Sequence, residues 1–347
     1  MNETKTADGM ATASTATEQT VPDDDRQLLV QCAELGSVVR ERIGNTVIGQ
    51  HRVVSELLVS LFAGGHLLLI GVPGLAKTLL IRTLARTLGL SFSRIQFTPD
   101  LMPADITGTE ILQQDPATGR RELIFRPGPV FANIVLADEI NRTPPRTQAA
   151  LLEAMQEHQV TTAGIRRPLP MPFFVFATQN PIELEGTYPL PEAQLDRFLF
   201  ATRIGYPTEA EELEMIRLAA PGDDPEPTEA AAATASFPEL LRLVQRIPVA
   251  EHLLQRIVRR LRATRPETTT LESVRRYVRF GASPRATRAV VAAARAHAAL
   301  DARPCVEPRD IDAVLAPTLR HRILLCFAAR AENLDVEPII EQIAGIR

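Results

Sequence analysis

The chain has 347 residues, 45% of them apolar, with no Trp and only 3 Tyr, which allows a substantial core of aliphatic side chains and Phe. Its net charge of -4 is uneven: residues 1–25 hold six acids and one base, so the body is nearly neutral and offers little footprint for nucleic acid. The polar N-terminus is no secretory leader, and no apolar run approaches the roughly 20 residues of a membrane span, so a soluble, cytoplasmic protein is expected.

Residues 1–25, rich in Thr, Ala and Asp, read as a disordered acidic tail. Residues 26–65 read as helices, with Leu57, Leu58, Leu61 and Phe62 at helical spacing. From about 66 to 205 the pattern changes to an α/β one. Three nearly continuous apolar runs, His66–Ile70, Ile134–Ala137 and Phe173–Ala177, suit strands of a parallel sheet covered by helices on both faces. Turn-rich stretches predict hairpins around 115–120 and around Ala163-Gly164. Proline, glycine, aspartate and alanine dominate the end of the segment 206–236, which reads as a linker. Residues 237–347 read as a small helical domain, with helices near 237–246, 249–264, 284–300 and 307–316. Cys32, Cys305 and Cys326 have no metal-ligand spacing and read as reduced thiols.

Ligands of open α/β sheets bind at the carboxyl ends of strands, so the strand endings carry the functional argument. The first run leads into Gly71-Val72-Pro73-Gly74-Leu75-Ala76-Lys77-Thr78-Leu79 and a helical pattern, the strand–loop–helix context of a P-loop. Backbone N–H groups and a helix N-terminus face an anion there. Gly71 and Gly74 let the chain curl around phosphates, Lys77 reaches the β- and γ-phosphates, and Thr78 offers its hydroxyl to Mg2+. Ala76 departs from the general pattern, which has Gly before the lysine. Lys77 is nonetheless the only lysine besides Lys5, and it falls on the one position that needs it.

The second run ends in Asp138-Glu139. Acidic pairs at strand ends are common on surfaces; a P-loop upstream is what gives this pair a role. On a strand beside the P-loop strand, Asp138 holds the metal through water and Glu139 polarises the attacking water. The third run ends Thr178-Gln179-Asn180-Pro181, where Asn180 either orients water near the γ-phosphate or serves only the turn before proline. Arg197 stands at the end of a helix in Leu190–Phe198. Arg285 follows an N-cap, Ser283, and a first-turn Pro284, a place mildly unfavourable for a cation unless it meets a phosphate. Among so many arginines, spacing alone leaves solvated surface open for both.

Taken together, Gly71–Thr78, Leu136–Asn141, Ala177–Asn180, Leu190–Phe198 and Gly281–Arg288 resemble the MoxR family of AAA+ ATPases, in order, from about Gly44 to Leu315. The Ala76 form of the loop is usual there, and the first hairpin looks like the helix-2 insertion of that clade. The resemblance implies an AAA+ core over 26–205, a helical lid over 237–347, ATP with Mg2+ as cofactors, and hexameric rings. It implies that Arg197 acts as an arginine finger in the neighbour's site and Arg285 as the lid arginine in its own, with Arg142 a further candidate for an intersubunit contact. Val47-Ile48-Gly49-Gln50 is similar to the segment whose backbone meets the adenine. The implied role is chaperone-like assembly or activation of partner complexes, often with von Willebrand factor A domain proteins. A nucleotide-gated scaffold of negligible turnover, and a nucleic-acid or chelatase-type motor, are the alternatives.

Overall fold

The computed structural model describes residues 23–114, 121–183, 186–218 and 236–346. In chain order the first part contains α1 (Asp23–Gly44), α2 (His51–Phe62), β1 (His66–Ile70), α3 (Lys77–Thr87), β2 (Phe92–Gln96), α4 (Pro103–Thr107), β3 (Gly108–Gln114), β4 (Arg121–Pro127) and β5 (Ile134–Asp138). It continues with α5 (Pro145–Glu157), β6 (Gln159–Thr162), β7 (Ile165–Pro168), β8 (Phe174–Gln179), α6 (Glu192–Leu195), β9 (Phe198–Arg203) and α7 (Glu209–Leu218). The second part holds α8 (Phe237–Arg246), α9 (Glu251–Ala263), α10 (Glu272–Tyr277), β10 (Val278–Phe280), α11 (Pro284–Leu300), α12 (Pro308–Leu319), β11 (Leu324–Leu325), α13 (Phe327–Ala331) and α14 (Glu337–Ala344).

Five parallel strands form one sheet in the order β2-β5-β8-β1-β9. The period of two along each strand divides the core. Leu67, Leu69, Ile134, Leu136, Phe174 and Phe176 join α1, α2, α3 and the lid helices on one face. Leu68, Val135, Ala137, Val175 and Ala177 meet α5 and the α4 region on the other. That two-sided burial is why the three strands read as unbroken apolar runs rather than as alternating ones. The order also corrects one expectation. β5 does not adjoin β1, because β8 lies between them. The interposed strand brings Thr178 against Asp138, and this matters at the site below.

Both expected hairpins are present. β3 pairs with β4 from Gly108↔Pro127 to Gln114↔Arg121, and the turn residues between them lie outside the described residues. β6 and β7 join through Ala163 (φ 51) and Gly164 (φ 79), the left-handed pair that a tight hairpin turn demands. Helix α1 starts at Asp23, so Asp23, Asp24 and Asp25 of the stretch read as a tail are helical, while residues 1–22 lie outside the described residues. Likewise α7 occupies the early part of the stretch read as a linker. The second part also contains a short antiparallel pair, β10-β11, within its helices.

The lid grips the sheet edge through buried arginines. Arg322, 8% exposed, donates to the carbonyls of Phe198 (2.7 Å) and Leu199 (2.9 Å) at the start of β9, and its Nε donates to Asp196 Oδ1 at 2.7 Å. Arg320 donates to Ala201 O at 3.1 Å on the same strand. Beside the Arg322 contact Gly281 runs so close to Thr264 that a Cβ would sit 2.4 Å from its carbonyl oxygen, which leaves room only for glycine.

Within the lid, Asp310 has no exposed side-chain surface and is held by Arg303 (Nη1–Oδ2 2.7 Å), by His297 Nδ1 (2.7 Å) and by the Glu307 N–H (2.7 Å). Burial by itself pushes this carboxyl up. The hydrogen bonds from Arg303, His297 and Glu307 outweigh it and hold the group well below the usual carboxylate range. Its folded value is depressed, so its contribution to stability is present above the unfolded value near 3.9 and drains away as pH falls below that. Asp310→Asn should lower stability by about 3 kcal/mol, since it strips a largely buried guanidinium of its main anion. It should also flatten the decline in stability below about pH 4, and urea melts at pH 7 and pH 3.5 would check both effects.

Candidate active site

The carboxyl ends of β1, β5 and β8, with the loop before α3, enclose a cavity of about 760 Å3. Pro73, Gly74, Leu75, Ala76, Lys77, Thr78 and Leu79 form one wall, and Asp138, Glu139 and Asn180 face it. Gly71 and Val72 lie at the exit of β1. The Gly71 N–H donates to Gln179 O at 3.1 Å, which extends the β1–β8 pairing by one rung, and its carbonyl accepts a hydrogen bond from Lys77 Nζ. The loop curls because Gly74 (φ 85) and Ala76 (φ 52) both take the left-handed conformation. In Ala76 a Cβ tolerates what the general pattern leaves to glycine, at a cost of about 1 kcal/mol. Successive N–H groups in such a curl, followed directly by the N-terminus of α3, make a concavity suited to an anion.

Burial pushes the Lys77 ammonium down from its ordinary value, and Asp138 and Glu139 offset only part of that. Asp138 Oδ1 accepts from Thr178 Oγ1 at 2.6 Å, and the Thr178 oxygen in turn accepts the Glu139 N–H at 2.8 Å. The inserted strand β8 therefore orients both acids. Glu139 itself is left-handed, with φ 56. A non-glycine residue in that region carries strain, and strain of this kind collects at functional sites. Its Oε2 accepts from Gln96 Nε2 at 2.8 Å and lies 3.1 Å from Arg142 Nε. Asn180, 6% exposed, reaches the cavity while its Oδ1 accepts the Ile182 N–H at 3.2 Å, so the turn contact and the cavity position coexist.

Three lining residues had no motif to announce them: Arg82, Arg94 and Gln96. Arg82 comes from the second turn of α3, and its buried Nε has no hydrogen-bond partner within the protein. Arg94 Nη2 donates to Asp138 Oδ2 at 2.6 Å. With Lys77, Arg82 and Arg94 against Asp138 and Glu139, the lining leaves one positive charge in excess. That balance, the curled loop, and the hydroxyl and carboxylate oxygens of Thr78 and Asp138 fit a nucleoside polyphosphate with one hard divalent cation.

The remaining expected residues stand elsewhere. Ile48 and Gly49 precede α2, and Gly49 and Gln50 lie against the segment after β9. Gln50 Nε2 donates to Gly205 O at 3.0 Å, and a Cβ on Gly49 would meet Glu211 Oε1 at 2.3 Å. Arg197 is not at the end of a helix, because α6 stops at Leu195 and Arg197 leads into β9. It lines a separate cavity of about 510 Å3 with Glu153, Gln156 and Arg166, donates to Leu152 O, and has a buried Nε without a partner. Arg285 is exposed on the first turn of α11, whose Ser283 cap donates to Asp196 Oδ2 at 2.9 Å. Arg142, a candidate for a neighbour's site, pairs within its own chain with Glu183 at 2.5 Å as well as with Glu139. Among the described residues, His297, Asp301 and Asp310 form the one cluster with metal-ligand proximity. The Arg303 guanidinium already contacts both of its carboxylates.

Comparison with known proteins adds the following. Residues 66–200 match the ATPase family associated with various cellular activities (AAA), and residues 271–343 match the AAA lid domain. Chaperone MoxR1 of Mycobacterium tuberculosis is 47% identical over 298 residues, covering 86% of this chain and 78% of that protein. Protein MoxR of Paracoccus denitrificans is 34% identical over 311 residues, covering 84% and 90%. A crystal structure from Cytophaga hutchinsonii superposes with a TM-score of 0.86 at 40% identity, covering 93% of this chain and 97% of that one.

Proposed function

Because the chain belongs to the MoxR family of AAA+ ATPases, we propose that it binds ATP with Mg2+ in the cavity around Lys77 and hydrolyses it, as one subunit of a ring, to remodel protein partners. The observation that carries this reading is convergence. The loop before α3, the acids at the end of β5 and Asn180 after β8 line one cavity, although they lie far apart in the chain.

The roles follow from chemistry. Backbone N–H groups of Gly74–Thr78, in the loop that begins at Gly71, cradle the phosphates and Lys77 neutralises the terminal ones. Leu79 continues the wall behind them. Thr78 and Asp138 would hold magnesium, which, when bound, offsets charge that develops on the phosphate oxygens. Glu139 accepts a proton from the attacking water, and Asn180 orients that water. Arg197, away from its own cavity and with a nitrogen lacking a partner, suits a finger that completes the neighbouring subunit's site. Arg285 serves the chain's own nucleotide from the lid, and Ile48 and Gly49 meet the base. Likeness to a protein named chaperone MoxR1 supports a chaperone-like role with protein clients. The hexamer, and von Willebrand factor A domain proteins as partners, rest on the sequence resemblance to the family alone. No helix among the described residues is long and apolar enough to cross a membrane.

Steady-state phosphate release tests the reading. Wild-type protein should turn over ATP, and Arg197→Ala should lose roughly a thousandfold or more in rate, the scale on which such fingers act. Mixing Arg197→Ala with Lys77→Ala protomers should restore part of the activity, because each supplies what the other lacks. No recovery in mixed assemblies would count against a finger shared between subunits.

A further inference from the structure

Strand β2 contributes two outward-facing residues to the site, and they join the two acids at the end of β5. Arg94 donates to Asp138 Oδ2 through Nη2 at 2.6 Å and through Nε at 3.2 Å. The same Nη2 donates to Gln96 Oε1 at 2.6 Å, and Gln96 Nε2 donates to Glu139 Oε2 at 2.8 Å. With Thr178 Oγ1 on Oδ1, both oxygens of Asp138 are engaged, one by a neutral hydroxyl and one by a cation. A single polar string therefore runs from Asp138 through Arg94 and Gln96 to Glu139.

We propose that Arg94 competes with magnesium for Asp138 and so sets the magnesium concentration at which the site loads. The inference rests on the reading of this cavity as a magnesium–nucleotide site. The Arg94 side chain is 47% exposed and that of Asp138 15%, so the pair is one that solvent weakens and a divalent cation can displace. A guanidinium and a metal ion drawn to one carboxylate repel each other, and the singly charged, mobile one gives way. Arg94 is thus a positioning residue that acts through Asp138.

The test is a magnesium titration at fixed concentration of a fluorescent, non-hydrolysable ATP analogue, starting from EDTA and reading analogue binding. Arg94→Gln should lower the magnesium midpoint about fivefold, the worth of a half-exposed ion pair lost to competition. Arg94→Lys, which keeps the charge, should return most of the way to wild type. In an Asp138→Asn background, Arg94→Gln should leave the midpoint unmoved, because the group competed for is gone. An unchanged or raised midpoint in Arg94→Gln overturns the proposal. So does an equal shift in both backgrounds, which would make Arg94 a general repulsive charge. A wild-type protein that binds the analogue without regard to magnesium overturns the cavity reading itself, and that failure is visible before any variant is compared.

Discussion

Lys77→Ala should reduce affinity for ATP by about a hundredfold or more, the loss expected when a charge-assisted contact to a phosphate is removed from a half-enclosed site. The geometry says why the effect is large. The ammonium stands where β1 ends, fixed to the Gly71 carbonyl, with Asp138 and Glu139 offsetting part of the effect of burial on its charge. Arg82 and Arg94 also line the cavity, but Arg94 is engaged with Asp138 and Arg82 comes from farther along α3. Neither takes over a position set by the loop. Equilibrium binding of a fluorescent ATP analogue gives the affinity. Circular dichroism checks that α3, whose first residue is Lys77, still forms. Lys77→Met, closer in length but neutral, should behave as the alanine variant does. Affinity within threefold of wild type in both would remove the basis for every other role assigned to this cavity.

Most of the site could be read from the chain because its parts are local. A loop that follows a buried strand and opens a helix announces itself through glycine, proline and one lysine. An acidic pair ending an apolar run does the same once that loop is known. What the chain concealed depends on strand order. β2 buries only Ile95 fully, between polar Arg94 and Gln96, so it shows no apolar run, and the two residues that touch Asp138 and Glu139 went unmarked. β9 was hidden for another reason: its apolar run starts directly after Asp196-Arg197, so the preceding helical pattern appeared to extend across residues that belong to the strand. Nor did periodicity reveal that β8 separates β1 from β5. Burial on both faces makes three such strands alike, and only their pairing orders them.

That ordering also bears on how the lid communicates. Asp196 binds Ser283, the cap of the helix that begins with Pro284 and Arg285, and it binds Arg322, which grips the start of β9. Arg197 is the next residue. Movement of the lid over its own nucleotide would therefore bear on the stem of the arginine proposed to reach the neighbour's site. The link is made of side chains that are 4% and 13% exposed, where an ion pair with complementary hydrogen bonds holds geometry better than a solvated one does.

Glu139→Gln should separate binding from turnover. The substitution keeps the length and volume of the side chain and removes only its capacity to take a proton, so affinity for the ATP analogue should stay within about threefold while the hydrolysis rate falls by 10²–10⁴, the range for loss of a general base. Two features of the structure argue that the carboxylate, and not its neighbours, does this. Its backbone sits in a left-handed turn at φ 56, fixed by the Thr178 hydroxyl, so the side chain leaves β5 in a direction an ordinary strand residue would not take. Its Oε2 accepts from Gln96 and lies beside Arg142, and the residue lines the cavity directly. Asp138 cannot substitute, since Thr178 occupies one of its oxygens and the proposed duty of the other is to the metal. Single-turnover hydrolysis with enzyme in excess isolates the chemical step from product release. If that rate survives in Glu139→Gln, water is activated by another group and the assignment fails. If analogue binding collapses together with the rate, the residue shapes the pocket rather than the reaction. With binding kept and turnover gone, the variant would hold its ring in the nucleotide-bound form, the state from which protein clients can be recovered and identified.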